Sequence, residues 1–153
     1  MIRILTLLAA IAVLALPFVH PFGPVRRQTS PALLPGMQSD DARILPLFEK
    51  ACQNCHSQRT EWPLYSYLPF VSWALEKDVA EARQHMDLSR WDRYSIDEKR
   101  DLLARIGAEV RSHQMPLSRY LFLHPEARLS EAEIRVIYDW TKAQRRVLRN
   151  ERN

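Results

Sequence analysis

The apolar positions of the chain change their pattern twice. From Ile4 to Val19 nearly every residue is apolar, with Thr6 the exception and Arg3 ahead of the run. A basic residue before an apolar core reads as an export signal or an uncleaved anchor. A spanning helix takes about 17–25 residues, a range reached by counting from Ile2 to Phe22. No convincing small-residue cleavage site follows the run, so the sequence favours an anchor over cleavage, with residues 1–22 as the segment. Residues 23–39 follow without periodic apolar positions. Pro21, Pro24, Pro31 and Pro35 fall in or beside this stretch, and prolines at that density favour an extended spacer.

From residue 40 the apolar residues return at helical spacing. Asp40 and Asp41 suit a first turn, and Ile44, Leu45, Leu47, Phe48 and Ala51 then share one face. Pro46 is tolerated there only near the helix start. Pro69 suits the first position of the next helix, which carries Phe70, Trp73, Ala74, Lys77, Ala80 and Ala82 to about Met86. Ser95 with Glu98, and Ser130 with Glu133, have the spacing of capping boxes. The first opens a helix with Leu102, Leu103, Ile106 and Val110 on one stripe. The second opens one with Ile134, Ile137, Tyr138 and Thr141, and with Trp140 beside them. No alternating strand pattern and no repeat occurs. Residues 40–150 are expected to form an all-α domain of four to five helices, behind an N-terminal apolar helix.

Composition agrees: 3 glycines against 10 prolines suit helices joined by rigid turns. The net charge of +4 raises the question of nucleic acid, but Arg3, Arg26 and Arg27 supply three of those charges from a stretch with no acid. The remainder is nearly balanced. The late run Lys142, Arg145, Arg146, Arg149 and Arg152 suits a solvated helix C-terminus. No nucleic-acid partner is expected.

Both cysteines lie within four residues, in Cys52-Gln53-Asn54-Cys55-His56. This C-x-x-C-H pattern is that of c-type haem attachment: the thiols add to two vinyl groups, and the histidine falls under the iron as proximal ligand. A redox dithiol would sit near a βαβ pattern, zinc needs four ligands, and a disulfide over two residues closes almost no loop. Covalent haem attachment takes place outside the bacterial inner membrane, so the apolar N-terminus and the motif support one another. They indicate a periplasmic domain, tethered to the inner membrane or soluble after cleavage.

A low-spin haem carrier needs a sixth ligand. Met115, stiffened by Pro116, is the leading candidate, and His113 the alternative. His85 reads as a helix-surface residue, His124 as a turn residue and His20 as part of the spacer; Met86 and Met37 lack a suitable loop. Trp62, Tyr65 and Trp73 follow the motif closely and are suited to cover a porphyrin face or to hydrogen-bond a propionate.

The stretch "CQNCHSQRTEWPLYSYLPFVSWALEKDVAEAR" resembles the haem-binding domain family of bacterial exported proteins. Cys52, Cys55, His56, Ser57, Thr60, Trp62, Pro63, Tyr65 and Ser66 match its first motif, and Ser72, Trp73, Asp78, Val79, Glu81 and Arg83 its second. Ser89 and Trp91, Met115 with Pro116, and residues 124–140 extend the similarity over about residues 44 to 142. Leu64 stands where tryptophan is usual, Ala82 replaces a glycine, and His113-Gln114 replaces Gly-x. The resemblance implies one covalent haem in a small cytochrome-c-like helical fold. It assigns no reaction.

The reading that joins these observations is a monohaem c-type cytochrome-like protein, carrying one electron at a time between redox partner proteins of the periplasm or inner membrane. The alternative is a haem-based redox or gas sensor with a displaceable sixth ligand. A peroxidase-like enzyme is a minor possibility, since no Arg-x-x-His pair supports it; no catalytic residue is assigned.

Overall fold

The computed structural model describes residues 2–16, 19, 33–36 and 42–151. Asp40, Asp41, His20, Met37 and most of the expected spacer lie outside the described residues. Among those described, the secondary structure is entirely helical. Seven α-helices run in order: α1 (Ile2–Ala15), α2 (Ile44–Ala51), α3 (Gln53–His56), α4 (Val71–His85), α5 (Ile96–Arg111), α6 (Ser118–Leu123) and α7 (Glu131–Glu151). Short 3₁₀ turns at Leu64–Tyr67, Leu88–Arg93 and Pro125–Ala127 connect them. The domain thus has four longer helices, α2, α4, α5 and α7, with the short α3 and α6 between.

The two capping boxes are present. The Ser95 hydroxyl accepts from the Glu98 amide, and Glu98 Oε2 accepts from the Ser95 amide at 2.8 Å. Glu133 Oε2 likewise takes the Ser130 amide at 2.7 Å. Each box satisfies donors that a helix start leaves open. The long helices they open, α5 and α7, pack against each other. Their expected stripes are buried: Leu102, Leu103, Ile106 and Val110 from α5, and Ile134, Ile137, Trp140 and Thr141 from α7. Tyr138 is only half-buried. Gly107 lets the two helices approach closely; a Cβ there would stand 2.7 Å from Thr141 Oγ1.

α2 seats Ile44, Leu47 and Phe48 in the same core, with the Phe48 ring edge-on to Trp140 at 5.4 Å. Pro46 falls in its first turn, where a missing N–H costs nothing. Leu33 and Leu34, from the stretch read as spacer, are also in this core, and the Leu34 amide donates to Leu88 O at 3.0 Å. Packing of the domain therefore begins before residue 40, because two adjacent leucines gain more by burial than an extended spacer would keep.

α4 departs from its expected form. It starts at Val71, two residues after Pro69. Phe70 caps it with φ +67° and keeps its ring exposed. Its buried residues are Ser72, Glu76 and Val79, because the stripe Val71, Ala74, Leu75 and Asp78 faces a cavity and not the core. α1 comprises 14 residues, and among the described residues no helix is long and apolar enough to cross a membrane.

Candidate haem site

α2 ends at Cys52, whose amide still donates to Phe48 O at 2.9 Å. The chain then makes one further turn, α3, closed by the His56 amide on Cys52 O at 2.9 Å. One helical turn thus sets the separation of the two thiols and of the imidazole behind them. Both cysteines are free and half-buried. Burial, reinforced by Cys55, pushes the Cys52 thiol up to about 12. Burial also pushes the Cys55 thiol up, with Asp78 adding and Arg83 and Arg119 opposing. Both shifts favour the protonated thiol, because burial disfavours the thiolate charge. Among the described residues no three His, Cys, Asp or Glu side chains gather to hold a metal ion.

His56 is oriented by backbone. Its Nδ1 lies 3.1 Å from Ala82 O and 3.3 Å from Met86 O, where α4 ends. Ala82 O also accepts the Met86 amide at 2.9 Å and meets the ring with its second lone pair, whereas Met86 O lies past the last turn of α4. A carbonyl only accepts, so Nδ1 carries the hydrogen and Nε2 keeps its lone pair. Burial lowers the affinity of His56 for a second proton, against the pull of those two carbonyls. The neutral, Nδ1-protonated ring is the form a metal-ligating histidine takes.

The loop after the motif folds back upon it. Arg83 Nε donates to Ser57 O at 2.8 Å, and its Nη2 to Thr60 Oγ1, also at 2.8 Å. Thr60 in turn donates to Asn54 O at 2.6 Å. The Ser57 hydroxyl closes on Gln53 O at 2.7 Å, and the Gln58 amide donates to Ser89 Oγ at 3.0 Å. Ser57, Thr60, Arg83 and Ser89 thus hold the thiol-bearing turn against α4 and the Leu88–Arg93 turn.

Beside Cys55 lies a cavity of about 220 Å³. Trp62, Pro63 and Tyr65 from the loop, Val71, Ala74, Leu75 and Val79 from α4, and Leu117 and Leu123 give it apolar walls. Polar groups stand at Asn54, Tyr120, His124 and the Asp78–Arg119 ion pair, whose shortest contact is 2.9 Å. Cys52 and His56 are outside the lining. Trp62 and Tyr65 thus reach the cavity. Trp73 does not: its indole N–H donates to Val19 O at 2.6 Å, and its ring packs edge-on to Phe70 at 5.0 Å.

Neither candidate sixth ligand lines the cavity. Met115 is half-buried, its amide 3.3 Å from Glu109 O, two residues before the lining Leu117. His113 is exposed, with φ +57° and Nε2 3.5 Å from Glu131 Oε1. The sequence reading missed His124 as a site residue. It ends α6, lines the cavity, contacts Tyr65 Oη through Nε2, and stacks on Tyr120 at 4.3 Å. Its place before Pro125 signals a turn, and only its tertiary neighbours mark it as part of the site.

The residues present fit a haem: two free thiols one turn apart, an imidazole with Nε2 available, and an aromatic and aliphatic cavity at the second thiol. Comparison with known proteins agrees. Cytochrome c peroxidase Ccp of Escherichia coli (strain K12) is 28% identical over 111 residues, covering 70% of this chain but 24% of that protein. The chain therefore matches about a quarter of that relative's length. No solved structure matches. The haem-binding domain family matches residues 11–143, nearly the whole chain, and the chain belongs to that family.

Proposed function

We propose that this haem-binding protein is a monohaem c-type cytochrome that transfers single electrons at the periplasmic face of the inner membrane. Cys52 and Cys55 would hold the haem as thioethers, and His56 Nε2 would bind its iron. The observation that carries the reading is the His56 ring, fixed by the carbonyls of Ala82 and Met86 in the tautomer that leaves Nε2 free, one turn from two unpaired thiols. Bound haem supplies the one-electron couple, and the chain's residues tune it through ligation, burial and hydrogen bonding.

Each part of the chain has a task in this scheme. The α4 C-terminus orients His56. Arg83, Ser57 and Thr60 keep the attachment turn rigid. Trp62, Tyr65, Val71, Ala74 and Leu75 exclude water from one part of the porphyrin. The cavity, about 220 Å³, is smaller than the roughly 300–1,000 Å³ that encloses a whole small molecule. It would cover part of the ring, and the exposed Leu64, Phe122 and Leu123, next in sequence to or among the lining residues, would suit contact with a docked protein. Met115, half-buried two residues before the lining Leu117, would supply the further sulfur ligand. The N-terminal apolar segment, with Arg3 ahead of it, tethers or exports the domain, and a tether raises the effective concentration near membrane partners.

The test is maturation of the full chain in a host with haem-attachment machinery, followed by intact mass and optical spectra. One covalent haem, no titratable thiol and a low-spin spectrum are expected. A colourless chain with two titratable thiols would refute the proposal. Carbon monoxide binding by the reduced protein without denaturant would move the reading to a sensor with a displaceable ligand.

A further inference from the structure

Three side chains from two separated parts of the chain form a hydrogen-bonded relay at the cavity wall. Tyr65 Oη, in the 3₁₀ turn after the motif, meets His124 Nε2 in a short hydrogen bond. His124 Nδ1 lies 2.9 Å from Glu126 Oε1. Tyr120, one turn earlier in α6, stacks on the imidazole with 19° between the planes. Tyr65, Tyr120 and His124 share their cavity with Cys55. Glu126 is on the outside, so the relay runs from solvent to the cavity.

The hydrogens in this relay can be counted. A carboxylate only accepts, so His124 Nδ1 carries a hydrogen in either protonation state. In the neutral ring, Nε2 accepts from the Tyr65 hydroxyl. In the imidazolium, Nε2 donates to Tyr65 Oη, and the phenol proton is released to turn towards the cavity. The relay therefore has two satisfied states that differ by one proton. Its outer members do not interfere. A backbone amide hydrogen bond, and then His124 itself, hold the Glu126 carboxyl below its usual range. Burial, then Glu126 and Cys55, push the Tyr65 hydroxyl up. Histidine is the side-chain type that changes charge near neutrality.

We propose that His124 takes up a proton as the haem takes up an electron, so that the potential of the bound cofactor depends on pH. The inference rests on the haem reading above. A haem held here would take one electron from an external reductant, His124 would take one proton from solvent, and the summed charge of the site would be unchanged. Negative charge added to a haem held at Cys55, beside this cavity, would favour the cationic form of a nearby base. The other charged groups facing the cavity are few. Asp78 of α4 and Arg119 of α6 neutralise each other. Cys55 of α3 has no titratable proton as a thioether. Glu61, from the loop after α3, and the haem carboxylates remain as competing proton sites.

The experiment uses the full chain carrying covalent haem, with midpoint potentials from optical redox titration between about pH 5 and 8. For the wild type, the reduced-to-oxidised ratio at fixed ambient potential should fall with rising pH, by about tenfold per unit at most. His124→Phe should flatten this dependence. Glu126→Gln alters an exposed side chain, so folding is retained; it should move the pH window downwards, because the imidazolium loses its anionic partner. Glu61→Gln should keep the wild-type slope. If His124→Phe fails to fold, the shift in Glu126→Gln decides. A flat wild-type profile, a slope retained in His124→Phe, an unmoved window in Glu126→Gln, or a slope lost in Glu61→Gln overturns the inference. Mass and spectrum of the same samples separate the two levels: a chain without haem overturns the functional reading and the inference with it, and a haem-loaded chain with a flat profile overturns the inference alone.

Discussion

His56 Nδ1 lies 3.1 Å from the carbonyl oxygen of Ala82. The partner is backbone, in the last turn of α4, a carbonyl that also accepts the Met86 amide at 2.9 Å and offers its second lone pair to the ring. The orientation of the ring is therefore a property of where the helix stops and does not depend on any side chain at position 82.

That independence is testable with Ala82→Gly. The carbonyl stays, so haem loading and the optical spectrum should match the wild type. Stability should fall by about 0.5–1 kcal/mol, the cost of glycine within a helix, as read by denaturant unfolding. A changed haem spectrum with little loss of stability would show that the side chain, and not the backbone, sets the ring.

Met115 and His113 separate in the same way. His113 is exposed and faces Glu131 across 3.5 Å, whereas Met115 is half-buried two residues before the cavity residue Leu117. Met115→Ala should abolish the far-red sulfur-to-iron band of the oxidised protein and lower its midpoint potential. His113→Ala should leave both unchanged. The reverse result would give the sixth position to histidine.

Gly107 bears on stability alone. A methyl group there meets Thr141 Oγ1 at 2.7 Å, and that hydroxyl is already tied to Tyr138 O at 2.8 Å. Overpacking of this kind costs about 1–3 kcal/mol, against about 1 kcal/mol gained from alanine's helix propensity. Gly107→Ala should therefore lose up to about 2 kcal/mol by these two figures. In a Thr141→Ala background the same change should be neutral or stabilising. Stabilisation by Gly107→Ala alone would contradict the close approach of α5 and α7.

The ion pair between Lys50 and Glu133 joins the helix before the thiols to the start of α7, at 2.7 Å. The Lys50 hydrogen bond, then the Ser130 amide, pull the Glu133 carboxyl down to about 2. A carboxyl depressed in the folded state stabilises above its unfolded value and loses that contribution as pH falls through the folded value. The pair is partly solvated, so Lys50→Met should cost about 0.2–1 kcal/mol at neutral pH, less in high salt. Unfolding curves of the two proteins should converge as the pH approaches about 2. A gap that persists there would mean that Lys50 acts through packing of its stem.

What the sequence determined by itself is local. One helical turn fixes the spacing of Cys52, Cys55 and His56, and a three-residue reach fixes the boxes at Ser95 and Ser130. The stripes of α5 and α7 were legible because both helices bury their apolar faces in one core, so periodicity and burial coincide. On α4 they do not coincide. Its apolar stripe lines a cavity, and the buried positions Ser72 and Glu76 carry polar side chains. Only the tertiary structure decided which carbonyls orient His56, that Trp73 turns to Val19 while Trp62 and Tyr65 reach the cavity, and that Leu33 and Leu34 join the core. It also brought His124 to Tyr65 across 59 residues. Such contacts arise where separate helices meet, and a single chain read in order carries no signal for the angle at which they do.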